Sequence, residues 1–296
     1  MWNMTKYILA PKDEKEVRET LSYVDSYLFG VKGFSTNFEC YYTLEELKPL
    51  ITELKKNRKE VFLSFNKNMH TSDLEPLKVL LKECETLKVD GIFYYDISLV
   101  KLKKDGWFDL PLVWHQEHMT TNYETCNFWA RQGVQMACLS SEITLEEIIE
   151  IKKHAKMDLI VPIFGYLPMF VSKRNLVKNY IERFQLEERG EQYQIKKEGY
   201  TYPIVNDEMG TQVYSSHILN GMEESLLLEK ENISYLLFYS FHIASECMVE
   251  VLKSYRSLTK ENVLLEEEKI DQMLKGNTDK GFFYKETVFR VKKNEK

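Results

Sequence analysis

The sequence predicts an α/β protein of the (β/α)8, TIM-barrel-like class, and three observations support that prediction. Short apolar segments alternate with longer amphipathic, charge-rich segments through most of the chain. Seven strand–helix units follow one another within residues 6–181, which requires right-handed helical crossovers and a mostly parallel sheet. No GxGxxG motif follows the first strand, so a closed barrel is favoured over a doubly wound sheet.

The first four units are marked by strand-length apolar runs and by helix-capping residues. The predicted strands are residues 6–10, 26–30, 60–66 and 91–96. Helices are predicted to begin near Asp13, behind Thr43, behind Ser72 or Asp73, and at Leu99. Thr43 is followed by acidic residues, which favour the positive end of a helix dipole.

The later units continue the same alternation. Strands are predicted over residues 111–115, 134–139, 157–164 and, as the eighth, 234–240. Their helices are predicted over residues 122–132, 144–154, 173–181 and 244–257. The run LIVPIF at residues 159–164 is apolar throughout, as a parallel strand buried on both faces requires.

The alternation breaks between the seventh and eighth units. Residues 183–216 show period-two patterning with turn signals, which predicts a small inserted antiparallel β segment that acts as a lid or flap. The barrel domain is therefore predicted to span residues 1–258, including this insertion. Residues 259–296 form a charged C-terminal extension whose end, GFFYKETVFRVKK, predicts a last strand docked on the body.

Composition excludes several classes of protein. The 44% of hydrophobic residues supplies a core, and 40 basic against 46 acidic residues give a net charge of −6, which argues against a protein that coats a polyanion. A local basic stretch at residues 101–104 remains a candidate contact. No run approaches the ~18 apolar residues of a membrane helix, and no secretory signal is recognisable at the N-terminus. We expect a cytoplasmic protein without membrane contact.

The spacing of the five cysteines does not predict a disulfide framework or a metal site. Cys40, Cys84, Cys126, Cys138 and Cys247 are scattered, with no CxxC or CxxxC spacing. Such an odd, unclustered set is a poor disulfide or metal framework, so reduced and buried thiols are expected. The sequence predicts no metal site.

Candidate site residues lie where the barrel strands end, because active sites of this fold lie at the C-terminal ends of its strands. The segment WHQEH at residues 114–118 is the densest polar cluster. It could supply a general acid and base, or it could simply begin a solvated loop. Glu142 could be a functional carboxylate or could favour the following helix dipole. Asn66 could orient a ligand or close a turn.

No motif identifies a hydrolytic mechanism. The sequence lacks GxSxG, a zinc-binding helix and a catalytic Cys–His context. Ser140, Ser141 and Ser172 are better interpreted as caps or loop hydroxyls than as nucleophiles. The residues by themselves therefore define no chemistry of peptide cleavage.

Several longer motifs together resemble peptidase family U32, the collagenase-like peptidases. They cover nearly the whole chain and are YLFG at residues 27–30, SFN at 64–66, VDGIFYYD at 89–96, SSEITLEEI at 140–148, FGYLPMFVSKRNL at 164–176, YPIVNDEMGTQVYSS at 202–216 and GFFYKETVFRV near the end. The resemblance implies a peptidase, although the family has no agreed catalytic residues. Other members hydroxylate ubiquinone precursors or tRNA and rRNA bases without oxygen, using cysteine-bound iron–sulfur clusters.

The sequence departs from the cluster-bearing members. Those members carry a cysteine in the loop after strand seven and a cysteine pair soon afterwards, whereas this loop reads GYLPMF and residues 176–202 contain no cysteine. Because a cluster needs several converging thiolates, we expect a short branch of the family without an iron–sulfur cluster or any other cofactor.

Positions that match the family motifs give the candidate site. Glu117 and Glu142 are the candidate catalytic residues. The candidate ligand-binding residues are Asn66, Asp96, His115, Asn122, Tyr166, Ser172 and Arg174. Arg174 could clamp a carboxylate or phosphate with two parallel hydrogen bonds, or it could be a surface or salt-bridged arginine.

Two functions follow. The first is a hydrolase that cleaves peptide bonds at the barrel mouth, with the mechanism unassigned. The alternative is a non-catalytic or accessory barrel that binds a small anion, or a longer cysteine-bearing family member, during tRNA or rRNA base hydroxylation. The expected partners are a peptide or small anionic ligand and that longer relative, with only indirect contact to RNA because of the acidic balance.

Overall fold

A computed structural model describes residues 4–188 and 192–285 of the chain. The first half contains β1 (Lys6–Ala10), α1 (Glu14–Thr20), β2 (Ser26–Val31), β3 (Tyr41–Tyr42), α2 (Leu44–Lys56), β4 (Glu60–Phe65), α3 (Leu74–Leu87), β5 (Gly91–Tyr94), α4 (Ser98–Lys104), β6 (Leu112–His115), α5 (Tyr123–Arg131), β7 (Met136–Cys138) and α6 (Leu145–His154). The second half contains β8 (Asp158–Ser172), α7 (Leu176–Phe184), β9 (Gln192–Lys197), β10 (Tyr200–Asp207), β11 (Gly210–Asn220), α8 (Met222–Lys230), β12 (Tyr235–Tyr239), α9 (Ser245–Arg256), α10 (Val263–Met273) and β13 (Thr278–Asp279).

Eight parallel strands close into a barrel. Their order is β12, β1, β2, β4, β5, β6, β7 and β8, and β8 pairs with β12 to close the ring. The helices that connect successive strands pack outside, as right-handed crossovers require. The predicted (β/α)8 architecture is confirmed.

Aromatic side chains fill both the barrel interior and the layer outside it. Phe62 on β4 meets Phe93 on β5 at 5.5 Å and Tyr235 on β12 at 6.0 Å, both edge-on. Because β4 and β12 are not neighbours, the second contact crosses the interior. Trp114 on β6 stacks instead on Trp129 of α5, with ring centroids 4.3 Å apart. The barrel strands therefore contribute aromatic rings to both layers.

Capping boxes fix the starts of two helices. The Thr43 hydroxyl accepts a hydrogen bond from the Glu46 amide, and the Glu46 carboxylate accepts one from the Thr43 amide. Thr144 and Glu147 repeat this arrangement at the start of α6. Both pairs satisfy amides that have no partner within the helix, so these predicted helix starts are confirmed.

The seventh barrel strand continues far beyond its predicted end. β8 runs to Ser172, because β11 pairs antiparallel with its second half and satisfies its backbone groups. The predicted helix over residues 173–181 is therefore displaced, and α7 begins at Leu176. β9, β10 and β11 complete an antiparallel meander, which confirms the inserted β segment. We call residues 166–217 the flap.

A single glycine lies between the barrel and the flap. Gly165 has a φ of +114°, and a Cβ atom at this position would lie 2.2 Å from the Tyr239 carbonyl oxygen. Only glycine permits both the conformation and the close approach. Gly165 thus lets β8 leave the barrel wall beside the end of β12.

The C-terminal extension packs against the body as far as it is described. β13 pairs with β11, Phe283 is buried, and the Phe283 carbonyl accepts a hydrogen bond from the Leu145 amide at 3.0 Å. The predicted last strand is not formed at residues 281–285, of which residues 281–284 form turns, and residues 286–293 lie outside the described residues. In the described part of the chain, no helix has the length and apolarity needed to cross a membrane.

Candidate functional site

The segment after β6 turns its side chains in different directions. His115, on the last position of β6, and Gln116 are buried, whereas Glu117 is partly exposed and His118 is exposed. The Glu117 carboxylate accepts a hydrogen bond from the Asn37 amide group at 2.8 Å. His118 lies 3.3 Å from the Glu142 carboxylate. The two candidate carboxylates therefore engage different partners.

Gln212 of β11 ties the flap to the barrel mouth. Its side-chain oxygen accepts hydrogen bonds from the Asn37 backbone amide at 2.8 Å and from the Tyr214 hydroxyl at 3.1 Å. Its amide group donates to Asp207 at 3.1 Å. Asn37 itself adopts a left-handed conformation with a φ of 65°. A fully buried glutamine with these bonds fixes the loop after β2 against the flap.

Burial favours the neutral form of the His115 imidazole. Burial lowers the pKa of its side chain below the usual value, and the Glu117 charge opposes that shift only partly. Its ring lies edge-on to Phe93 at 5.5 Å, and its Nδ1 atom has no hydrogen-bond partner among the described residues. Buried polar atoms are normally paired. The ligand-binding role of His115 stays a prediction.

Asn66 and Asp96 bind neighbouring loops. The Asn66 side chain accepts a hydrogen bond from the Thr36 amide at 2.9 Å and donates one to the Thr36 carbonyl at 3.1 Å. Asp96 accepts from the amides of Met69 and Ser98. Both side chains thereby shape the mouth. A ligand role for either remains a prediction.

The mouth contains a small pocket between the strand ends and the flap. The mouth pocket has a volume of about 220 Å³ and is lined by Thr36, Asn66, Lys67, Asn68, Tyr95, Gln116, Glu117, His118, Pro168, Phe170, Val171, Lys173 and Met209. This volume is below the ~300–1,000 Å³ of sites for drug-sized ligands, so a single ring or a small acid suits it.

Four other predicted ligand residues are not among those that line this pocket. The Asn122 side chain caps α5 by accepting from the Thr125 amide, and the Tyr166 hydroxyl accepts from Asn277 at 2.8 Å. Ser172 accepts from the Arg174 amide at 3.2 Å, at the exposed end of β8. Ser172 stands between Val171 and Lys173, which do line the mouth pocket. A ligand role for these four residues remains a prediction.

The cysteines do not fit an iron–sulfur cluster. All five lie in the described residues; Cys84, Cys126 and Cys138 are buried, and Cys40 and Cys247 are partly buried on other elements. Burial raises the pKa of Cys126 to about 11 and that of Cys84 to about 12, which disfavours the thiolate that a metal needs. No group of three or more His, Cys, Asp or Glu residues within 4–188 and 192–285 could hold a metal ion.

Comparison with known proteins identifies the class to which this barrel belongs. The model of peptidase family U32 matches residues 15–292. The chain therefore belongs to peptidase family U32, and the resemblance in its motifs is confirmed. A solved structure of a U32 peptidase superposes with a TM-score of 0.53 and 14% identity, covering 80% of this chain and 93% of that one. At this identity the likeness concerns the fold.

The curated relatives act in RNA modification. tRNA hydroxylation protein P2 of Bacillus subtilis is 27% identical over 289 residues, covering 89% of this chain and 92% of that protein. tRNA hydroxylation protein P of Escherichia coli is 27% identical over 140 residues, which is 47% of this chain and 31% of that protein. The 23S rRNA 5-hydroxycytidine C2501 synthase of Escherichia coli is 22% identical, covering 72% of this chain and 32% of the synthase.

These relatives overturn the first functional prediction. The expectation that the chain is a peptidase that hydrolyses peptide bonds is wrong, because the matching curated proteins are tRNA and rRNA hydroxylation proteins. A peptide or small anionic ligand likewise finds no support among them. The alternative, a role in RNA base hydroxylation, agrees better with the relatives.

Sequence reasoning missed the residues that join the flap to the barrel mouth. Gln212 lies within a matched family motif, and Asn37 lies behind the second strand, but neither is among the predicted site residues. A signal was present, since Gln212 and Tyr214 stand at alternating positions of a predicted strand and share one face. A buried polar residue on such a face indicates a hydrogen-bonded network.

Proposed function

We propose that this chain takes part in tRNA hydroxylation as a cluster-free member of peptidase family U32. The observation that carries the proposal is the match to tRNA hydroxylation protein P2, which extends over 92% of that protein. A tRNA substrate is consistent with the cytoplasmic residence that the sequence predicts.

We further propose that the chain works with a longer, cysteine-bearing family member. Its own cysteines are dispersed and mostly buried, so oxidation chemistry that depends on a cluster needs thiolates from another chain. The relatives that the chain matches only in part are longer proteins, since the match covers 31% of one and 32% of another. The role of this chain is then to bind and orient rather than to carry electrons.

Deletion of the gene tests the proposal. Host cells are grown without oxygen, and their tRNA is digested to nucleosides for mass spectrometry. We expect a nucleoside that carries one additional oxygen atom to disappear and to return when the wild-type gene is supplied. Deletion of the longer family member should give the same loss, and deletion of both should add nothing. Unchanged nucleosides in the single deletion would contradict the proposal.

Cysteine variants provide the matched control. Cys40→Ser and Cys247→Ser, separately and together with Cys138→Ser, are expected to restore hydroxylation as the wild type does, because no cluster depends on these thiols. Loss of hydroxylation by a variant that is folded and present at the normal level would show that the thiols contribute to the chemistry.

A further inference from the structure

Three lysines from separate segments meet at one side of the barrel mouth. Lys32 directly follows β2, Lys67 follows β4, and Lys173 directly follows β8. Together with Gly33, Glu208 and Met209 they line a depression of about 480 Å³. Lys67, Lys173 and Met209 also line the mouth pocket, so the depression and the pocket adjoin. We call Lys32, Lys67 and Lys173 the rim lysines.

Two of the rim lysines are held in place by the protein. The Lys67 ammonium lies 3.2 Å from Asp73 and 4.7 Å above the Phe34 ring, and Lys173 donates to the Asn68 carbonyl at 3.3 Å. The side chain of Lys32 is exposed, and its ammonium makes no hydrogen bond or ion pair within the described residues. The acidic neighbours are Asp73, Glu208, Glu117 of the mouth pocket, and Glu46, on which the Lys32 charge acts. The rim therefore gathers cations from three segments beside several carboxylates.

The adjoining pocket has the groups that single RNA bases use. Tyr95, His118 and Phe170 supply rings, and Asn66, Asn68 and Gln116 supply amides. RNA-binding proteins hold unstacked bases between such rings and read their edges with amide groups, while lysines contact the backbone phosphates. The small volume matches one base better than a longer segment.

We propose that the mouth pocket receives one unstacked base of a tRNA loop and that the rim lysines bind the adjacent phosphates. This inference rests on the proposed role in tRNA hydroxylation and names the face that contacts the RNA. It differs from the indirect contact expected from the net charge, because three lysines converge at this one rim.

Binding of an unmodified tRNA transcript to the full chain, measured by fluorescence anisotropy over a range of salt concentrations, tests the lysines. The double variant Lys32→Gln, Lys173→Gln should bind about tenfold more weakly at low salt, and the slope of log affinity against log salt should fall by about 1 to 2. The control is Lys82→Gln, Lys88→Gln at the C-terminal end of α3, which removes the same charge from exposed residues that line neither cavity and should change neither quantity.

A second variant tests the pocket. Tyr95→Ser should weaken binding of a single-stranded loop about tenfold and leave binding of an RNA duplex of equal charge unchanged, because only an unpaired base can enter. Failure of the wild-type chain to bind the transcript, or equal losses in the α3 control, would overturn the inference. Such a failure would leave the proposed function standing if gene deletion still abolishes hydroxylation. The opposite result is also distinguishable. If the rim lysines bind tRNA but the deletion strain still hydroxylates its tRNA, the proposed function is refuted and the inference about the binding face stands.

Discussion

The barrel and the flap use their apolar residues in opposite ways. Every residue of β2, β5, β6, β7 and β12 is buried. In the flap, α7 has no buried residue, and Tyr180 and Phe184 are 58% and 59% exposed. An apolar groove of about 980 Å³ lies between α7 and β9–β11. Apolar area stabilises the fold in the barrel, whereas in the flap much of it remains available for contact with other molecules.

The largest expected contrast comes from truncating one phenylalanine in each region. Phe93→Ala removes a fully buried ring and should lower the free energy of unfolding by about 3–5 kcal/mol. Phe184→Ala removes an exposed ring and should change it by less than ~0.5 kcal/mol. Urea denaturation followed by circular dichroism measures both. Similar losses at the two positions would show that the flap belongs to the same cooperative core.

The junction between the regions depends on Gln212. Gln212→Leu leaves the Asn37 amide and the Tyr214 hydroxyl without their acceptor, at a cost of about 2 kcal/mol, and should accelerate amide exchange in β10 and β11. Gln194→Leu, on exposed β9, is the control and should have an effect below ~0.5 kcal/mol. Unaltered exchange in Gln212→Leu would mean that other contacts hold the flap.

The barrel should also show a pH dependence that originates at Glu16. Burial raises the pKa of this carboxyl from 4.5 to about 7, so the folded state holds its proton where the unfolded state has lost it. Stability should therefore fall as pH rises from about 4.5 through 7, by an amount of up to about 3 kcal/mol. Glu16→Gln should be more stable than the wild type at pH 8 and not at pH 4.5. A difference that is the same at both pH values would contradict this assignment.

The smallest effect is expected from making the flap surface polar. Tyr180→Ser with Phe184→Ser should leave the melting temperature within ~1 °C of the wild type, because neither ring is buried. The same double variant should bind less of a fluorescent hydrophobic dye, since the two rings contact each other at 4.6 Å beside the apolar groove. A large fall in melting temperature would show that these rings support the fold.

The barrel could be predicted well from the sequence because its strands bury both faces. A run such as LIVPIF is apolar at every position, which indicates a strand buried on both faces. Thr43 and Thr144 indicate the starts of their helices because each forms a capping box. β8 continues beyond its predicted end because β11 pairs with its second half. Since β11 lies far along the chain, no local pattern in the sequence indicates this pairing. The sequence does not predict α8 and α10. α8 follows the flap and α10 follows the last barrel helix, so both lie outside the alternation of strand and helix on which the prediction rests.

The site could be predicted less completely, for a related reason. The positions of His115, Glu117 and Asn66 at the mouth follow from the rule that strand ends converge. The bonds of Gln212 do not follow from any local pattern, because Asn37 and Gln212 are distant in sequence and meet only after the flap folds back. β8 is predicted to end near Phe164 but continues to Ser172, so Ser172 and Arg174 come at the far end of the extended strand. Their ligand role stays a prediction.

Gly165 also provides a marker that can be read in related sequences. Its φ of +114° and its approach to the Tyr239 carbonyl oxygen exclude any side chain at this junction. A chain that keeps glycine directly after the apolar run of its seventh strand can extend that strand into a flap of this kind. A chain with a bulkier residue there must end the strand or bend it elsewhere. The identity of one residue thus distinguishes two shapes of the barrel mouth.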